Sequence, residues 1–126
     1  MRSYLSVTDV MAVHHVMIGL FGGLHGIRDA DALESAVNRP QSGYYADFEE
    51  EAAALLESLL INHPFLDGNK RAAFAACDVF LRLHGRMIRG KPAQLYQLVM
   101  DWIAATPTDR FARISADLRG AIHDLP

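Results

Sequence analysis

Leu55-Leu56-Glu57-Ser58-Leu59-Leu60-Ile61-Asn62-His63-Pro64-Phe65-Leu66-Asp67-Gly68-Asn69-Lys70-Arg71-Ala72-Ala73-Phe74-Ala75-Ala76 reads as a helix, a turn and a second helix. Leu55, Leu56, Leu59 and Leu60 recur at helical spacing and supply one apolar face. That helix starts near Asp47, where Asp47, Glu49, Glu50 and Glu51 suit the positive end of the helix dipole. Pro64 disfavours helical backbone at His63 and forces a turn. The next helix is expected from about Asn69 to His84, with Gly85 as its C-cap. Ala73, Ala76, Cys77, Phe80, Leu81 and Leu83 leave it little polar surface, which predicts that it is the central buried helix.

Outward from this pair, the periodicity stays helical. Ser6 and Asp9 have capping-box spacing ahead of Val10, Val13, Met17 and Leu20, and Gly22-Gly23 ends that helix. After the loop Leu24–Arg28, Asp29 can cap a short helix carrying Leu33, Ala36 and Val37, stopped before Pro40. Gln41 to Ala46 reads as an exposed loop or a short hairpin. One further helix begins near Pro92 and carries Leu95, Leu98, Val99 and Trp102. Another is opened by Thr106-Pro107-Thr108-Asp109. No convincing strand, repeat or linker is visible. The expectation is a compact all-α bundle of about six helices, one domain over residues 1–126.

Composition narrows the function. A chain of 126 residues with 51% hydrophobic content can build a core without staples. A formal charge of −3 rules out a broad cationic surface for nucleic acid, leaving at most a local basic patch. The one cysteine, Cys77, forms no internal disulfide and reads as a small core residue. No apolar run approaches the ~20 residues of a membrane helix. Met1-Arg2-Ser3-Tyr4-Leu5 lacks the apolar core of a signal peptide, so a cytoplasmic protein is expected.

The turn carries the chemistry. His63 to Arg71 packs an imidazole, a carboxylate, an amide, an ammonium and a guanidinium around Gly68. Main-chain N–H groups at a helix start are unpaired and form an anion site with the dipole. Gly68 lets the backbone approach a ligand, and Asn69, Lys70 and Arg71 add donors on successive positions. Asp67 supplies a hard oxygen for magnesium, which typically binds through one or two carboxylates plus substrate phosphates. His63 is the proton acceptor suited to neutral pH. A base, a metal-binding carboxylate and phosphate donors define phosphoryl or nucleotidyl transfer to a hydroxyl. The competing reading is a polar turn between core helices, with Asp67 as a helix N-cap.

His63-Pro64-Phe65-Leu66-Asp67-Gly68-Asn69-Lys70-Arg71 closely resembles the Fic/Doc family motif, HxFx(D/N)(G/A)N(G/K)R. Gly22–Asp29, Leu33-Glu34-Ser35-Ala36 and Arg39-Pro40-Gln41 resemble the upstream signature of the Doc (death-on-curing) branch, and Phe80–Gly85 its downstream helix end. The resemblance implies a small helical bundle. Most Fic enzymes transfer AMP, with glycine where this chain has Lys70 and arginine where it has Phe74. Both departures follow the Doc branch, whose members are toxins that phosphorylate a threonine of elongation factor Tu and stop translation. By resemblance, His63 is the general base and Asp67 holds magnesium (Mg2+). Gly68, Asn69, Lys70 and Arg71 bind the ATP phosphates, with Lys70 also catalytic in favouring a reversed nucleotide. Gly43, Tyr44 and Tyr45 fall where the family docks its target. No self-inhibiting (S/T)-x-x-x-E-(G/N) run is present, so a Phd-like antitoxin acting in trans is the implied partner. The alternatives are an AMP transferase and a non-catalytic antitoxin-binding module acting in operon autoregulation.

The remaining polar and aromatic residues read as structural. His14 and His15 are ordinary helix residues, and His25 and His84 have local roles. Trp102 and Phe111 are core. Glu49-Glu50-Glu51 is a solvated helix start. Arg28 and Arg39 orient loops by hydrogen bonding.

Overall fold

The structure, a computed structural model, describes residues 3–126; Met1 and Arg2 of the N-terminal reading lie outside the described residues. Six α-helices run in the order α1 (Val7–Phe21), α2 (Ala30–Asn38), α3 (Phe48–Asn62), α4 (Asn69–Arg82), α5 (Pro92–Ala104) and α6 (Pro107–Ala121), with a 3-10 turn at Arg39–Ser42. The all-α architecture is the expected one. The caps are local and match their residues. Ser6 and Asp9 close a full capping box, and Asp29, Asp47 and Thr106 each accept an N–H of the first turn they precede.

α3 takes the central place expected for α4: nine of its fifteen residues are buried, against six of fourteen in α4. Ala52, Ala53 and Ala54 let neighbouring elements approach, and α2, α4, α6 and the 3-10 turn all pack on it. Glu51 is 3% exposed rather than solvated, and the Tyr4 hydroxyl donates to its Oε2 at 2.7 Å. Burial pushes the Cys77 thiol up, which keeps it an inert core group.

α1 buries a different stripe from the expected Val10, Val13, Met17 and Leu20. Its buried residues are Val10, His14 and Ile18, while Leu20 is 68% exposed. α4 ends at Arg82, earlier than expected, and Gly85 sits beyond the helix in a left-handed turn (φ 76°). That turn leads into β1 (Arg86–Ile88), which pairs antiparallel with β2 (Ile122–Asp124), Ile88 opposite Ile122. These strands correct the strandless reading. Three residues are too few to show period-two alternation. Among the described residues, no helix is long and apolar enough to cross a membrane.

At the α3 N-terminus, Arg119 of α6 sits on Asp47 (3.1 Å) and Glu49 (2.9 Å). Burial acts to raise the Asp47 carboxyl, but the Glu50 N–H and the Arg119 guanidinium outweigh it and hold the group below its ordinary 3.8. The folded state thus binds the proton less readily than the unfolded chain. The contribution is complete above pH 3.8 and fades as pH falls below it. Arg119→Ala is expected to lower the urea midpoint by the equivalent of about 0.5 kcal/mol well above that pH, because the pair is partly solvated. The difference from wild type should shrink in acid; a constant difference would contradict the pairing.

Candidate active site

The α3–α4 turn is held from outside itself. His63 adopts left-handed backbone (φ 49°, ψ 61°), unusual for a side chain larger than glycine. Arg28 grips the two carbonyls at this point, donating from Nε to His63 O (2.5 Å) and from Nη2 to Asn62 O (2.6 Å). A cation on the last carbonyls of α3 also complements the helix dipole. The N–H groups of Arg28 and Asp29 donate to Pro64 O (2.8 and 3.0 Å), and Leu66 N–H donates to Gly26 O (3.1 Å). The loop before α2 therefore runs antiparallel beside the turn, with Ile27 bridged to Phe65. Arg28→Ala is expected to lower stability by about 1 kcal/mol, allowing for solvent at this exposed site, and to loosen His63. Arg28→Lys should restore part of the melting temperature; full restoration would mean that the fork geometry is unimportant.

Inside the turn, Asn69 clips the loop closed. Its Oδ1 accepts from Phe65 N–H and its Nδ2 donates to Phe65 O, both at 3.0 Å. Phe65 is 2% exposed and anchors the loop in the core. Gly68 is the α4 N-cap, left-handed at φ 72°, with no side-chain bond. Asp67 is therefore not the N-cap. Its Oδ1 accepts the N–H of Gly68 (2.9 Å) and its Oδ2 that of Leu24 (3.1 Å).

His63, Asp67, Gly68, Asn69, Lys70 and Arg71 line one cleft of about 840 Å³. The main-chain N–H groups of Asn69, Lys70 and Arg71 head α4, ahead of the first helical bond from Ala72 to Gly68 O. Lys70 and Arg71 are exposed, and Arg71 stacks on the Phe21 ring at 4.8 Å. The rest of the lining is largely apolar: Met17, Phe21 and Phe74, with Pro92, Leu95 and Tyr96 of α5. Among the described residues, no three His, Cys, Asp or Glu side chains gather as a metal cage. Asp67, exposed and with a lone pair left on each oxygen, suits a magnesium ion carried in with phosphates rather than an all-protein site.

Gly43, Tyr44 and Tyr45 are not brought to this cleft. They precede the N-terminus of α3, whereas His63 follows its C-terminus, about 22 Å away by helical rise over fifteen residues. Tyr45 is tied there by Arg39, whose Nε donates to its hydroxyl at 2.6 Å, and by the Phe111 ring at 5.4 Å. The residues that do meet the turn, His14 and the Gly23–Arg28 loop, were not among the expected site residues. In the sequence His14 reads as an ordinary helix residue, and Gly23 as a helix stop within the stretch Gly22–Asp29 that resembles the Doc branch.

The profile of the Fic/DOC family matches residues 4–81, a stretch that takes in α1 through most of α4 and so the whole turn. Toxin Doc of Mycolicibacterium smegmatis (strain ATCC 700084 / mc(2)155) is 41% identical over 90 residues, which cover 68% of this chain and 67% of that protein. Protein kinase doc of Escherichia phage P1 is 30% identical over 93 residues, covering 71% of this chain and 74% of that protein. A turn of this composition, set between these helices and matched over this length, shows that the chain belongs to the Fic/DOC family.

Proposed function

We propose that the chain is the toxin of a toxin–antitoxin pair and acts in the cytoplasm as a protein kinase, moving the γ-phosphoryl group of ATP to a threonine of elongation factor Tu. The observation that carries this reading is the convergence of His63, Asp67, Lys70, Arg71 and the open α4 N-terminus on one cleft. The relatives' names, a toxin and a protein kinase, support it.

His63 takes the proton from the target hydroxyl as its oxygen attacks the γ-phosphorus. The bond from that phosphorus to the β–γ bridging oxygen breaks, ADP leaves with the electron pair, and His63 returns its proton to solvent. Lys70 and Arg71 bear charge on the transferring group, the first as a mobile ammonium and the second as a planar fork. Asn69 contributes its main-chain N–H, since its side chain is engaged with Phe65. Magnesium held at Asp67 would neutralise phosphate charge when bound. Lys70 and Phe74, in place of the glycine and arginine of AMP transferases, favour phosphoryl over nucleotidyl transfer. A Phd-like antitoxin would supply inhibition in trans. A docking role for Gly43, Tyr44 and Tyr45 would have to engage the target well away from the reacting hydroxyl.

The test is intact mass of elongation factor Tu after incubation with the protein, magnesium and ATP. A gain of one phosphate, lost in a His63 variant, supports the kinase. A gain of one AMP replaces it with a nucleotidyl transferase. No gain there or in a lysate transfers the role to antitoxin binding alone.

A further inference from the structure

We propose that His14, which lies 53 positions from its partner in the turn, is a positioning residue that holds the Asp67–Gly68 peptide with its carbonyl turned away from the cleft. The turn then shows N–H groups, not C=O groups, to an incoming anion.

His14 is 3% exposed on α1, and its Nε2 lies 2.8 Å from the main-chain oxygen of Asp67. A carbonyl oxygen accepts only, so Nε2 carries the hydrogen and donates. The ring lies flat on the Phe65 ring, 3.8 Å between centroids and 4° from parallel, which fixes its direction. Gly68 explains why a restraint is needed. A Cβ there would meet Ile18 Cδ1 at 2.9 Å and His14 Nε2 at 3.7 Å, so α1 approaches closely, and the left-handed backbone (φ 72°) favours glycine. Yet glycine also leaves the preceding peptide free to rotate. The residue that permits the close approach removes the barrier to a flip, and the His14 bond restores one.

Five other carbonyls of the turn are also held. Those of Asn62 and His63 are held by Arg28, and that of Pro64 by main-chain N–H groups. Phe65 O is held by Asn69 and Gly68 O by Ala72. A flipped Asp67–Gly68 peptide would aim a C=O dipole at the phosphates. It would also pull the Gly68 N–H from the Asp67 carboxylate it meets at 2.9 Å, so that the carboxylate loses its aim.

The rate readout rests on the kinase reading; the structural readout does not. His14→Gln keeps an N–H donor, whereas His14→Phe keeps a flat ring without one. His14→Phe is expected to lower kcat about 10–100-fold, the usual effect of losing a group that orients a metal-binding residue. It should melt within a few degrees of wild type, and His14→Gln should recover most of the rate. A fully active His14→Phe, or a His14→Gln as impaired as His14→Phe, overturns the proposal. A wild-type protein that phosphorylates nothing defeats the kinase reading separately. The imidazole signals in nitrogen-15 spectra then decide: a slowly exchanging Nε2–H on His14 supports the assignment, and the Nδ1–H tautomer overturns it.

Discussion

Under the proposed kinase activity, a His63→Ala protein is expected to fold and bind magnesium–ATP, yet transfer phosphate roughly 10²–10⁴-fold more slowly than wild type. The side chain stands exposed at the cleft, and Arg28 holds this residue by its main-chain oxygen, which alanine retains. Removing the imidazole therefore takes the proposed proton acceptor and little else. The backbone gives a second readout. Left-handed geometry at φ 49° costs a residue with a Cβ roughly 1–2 kcal/mol, and glycine escapes that cost at some entropic penalty in the unfolded chain. His63→Gly should be as slow as His63→Ala but melt higher, by the equivalent of about 0.5 kcal/mol. Single-turnover rates and melts on the two variants measure both effects. A wild-type rate in either removes His63 from proton transfer, and a glycine variant less stable than the alanine one would mean that the turn stores no strain.

Gly23→Ala is expected to damage both stability and rate, and its neighbour provides the control. A Cβ on Gly23 would stand 2.7 Å from Asp67 Oδ2 and 3.0 Å from Ile18 Cδ1, with the backbone at φ 119°. The strain amounts to about 1–3 kcal/mol. The clash adds to it by driving the Asp67 carboxylate off the Leu24 N–H, so about a 10–100-fold loss of kcat should follow. Gly22 also has positive φ, 85°, but an added Cβ there meets nothing within 4 Å. Gly22→Ala should lose stability and keep most of its rate per folded molecule. Equal rate losses in the two variants would show that backbone strain, and not displacement of Asp67, sets the effect.

What could be read from the sequence was local. Caps such as Ser6, Asp29, Asp47 and Thr106 act on N–H groups three residues away, so their spacing announces them. The reactive turn was legible for the same reason, as its groups are contiguous. The supports were not, because each comes from far along the chain. His14 reads as an ordinary helix residue because its partner, Asp67, lies 53 positions away, and the buried stripe of α1 runs through Val10, His14 and Ile18 instead of reaching Leu20. Glu51 reads as solvated because it continues the acidic run Glu49-Glu50 at a helix start, while its hydroxyl partner, Tyr4, lies 47 positions away. The apolar wall on α5 showed only as helical periodicity, which does not say what a face encloses.

The pairing of β1 with β2 has a consequence for how this cleft can change. Ile88 and Ile122 stand side by side, so the two ends of residues 89–121 meet at one place, while α6 between them packs on α3. That segment carries α5 and α6, and with them Pro92, Leu95 and Tyr96 of the cleft lining. Its start, Pro92 to Tyr96, lines the cleft, whereas Ile114 and Leu118 of α6 are core, so changes confined to that start leave the α3–α4 turn and the core packing in place. What the pocket accommodates can thus be changed separately from the groups of the turn, residues 63–71.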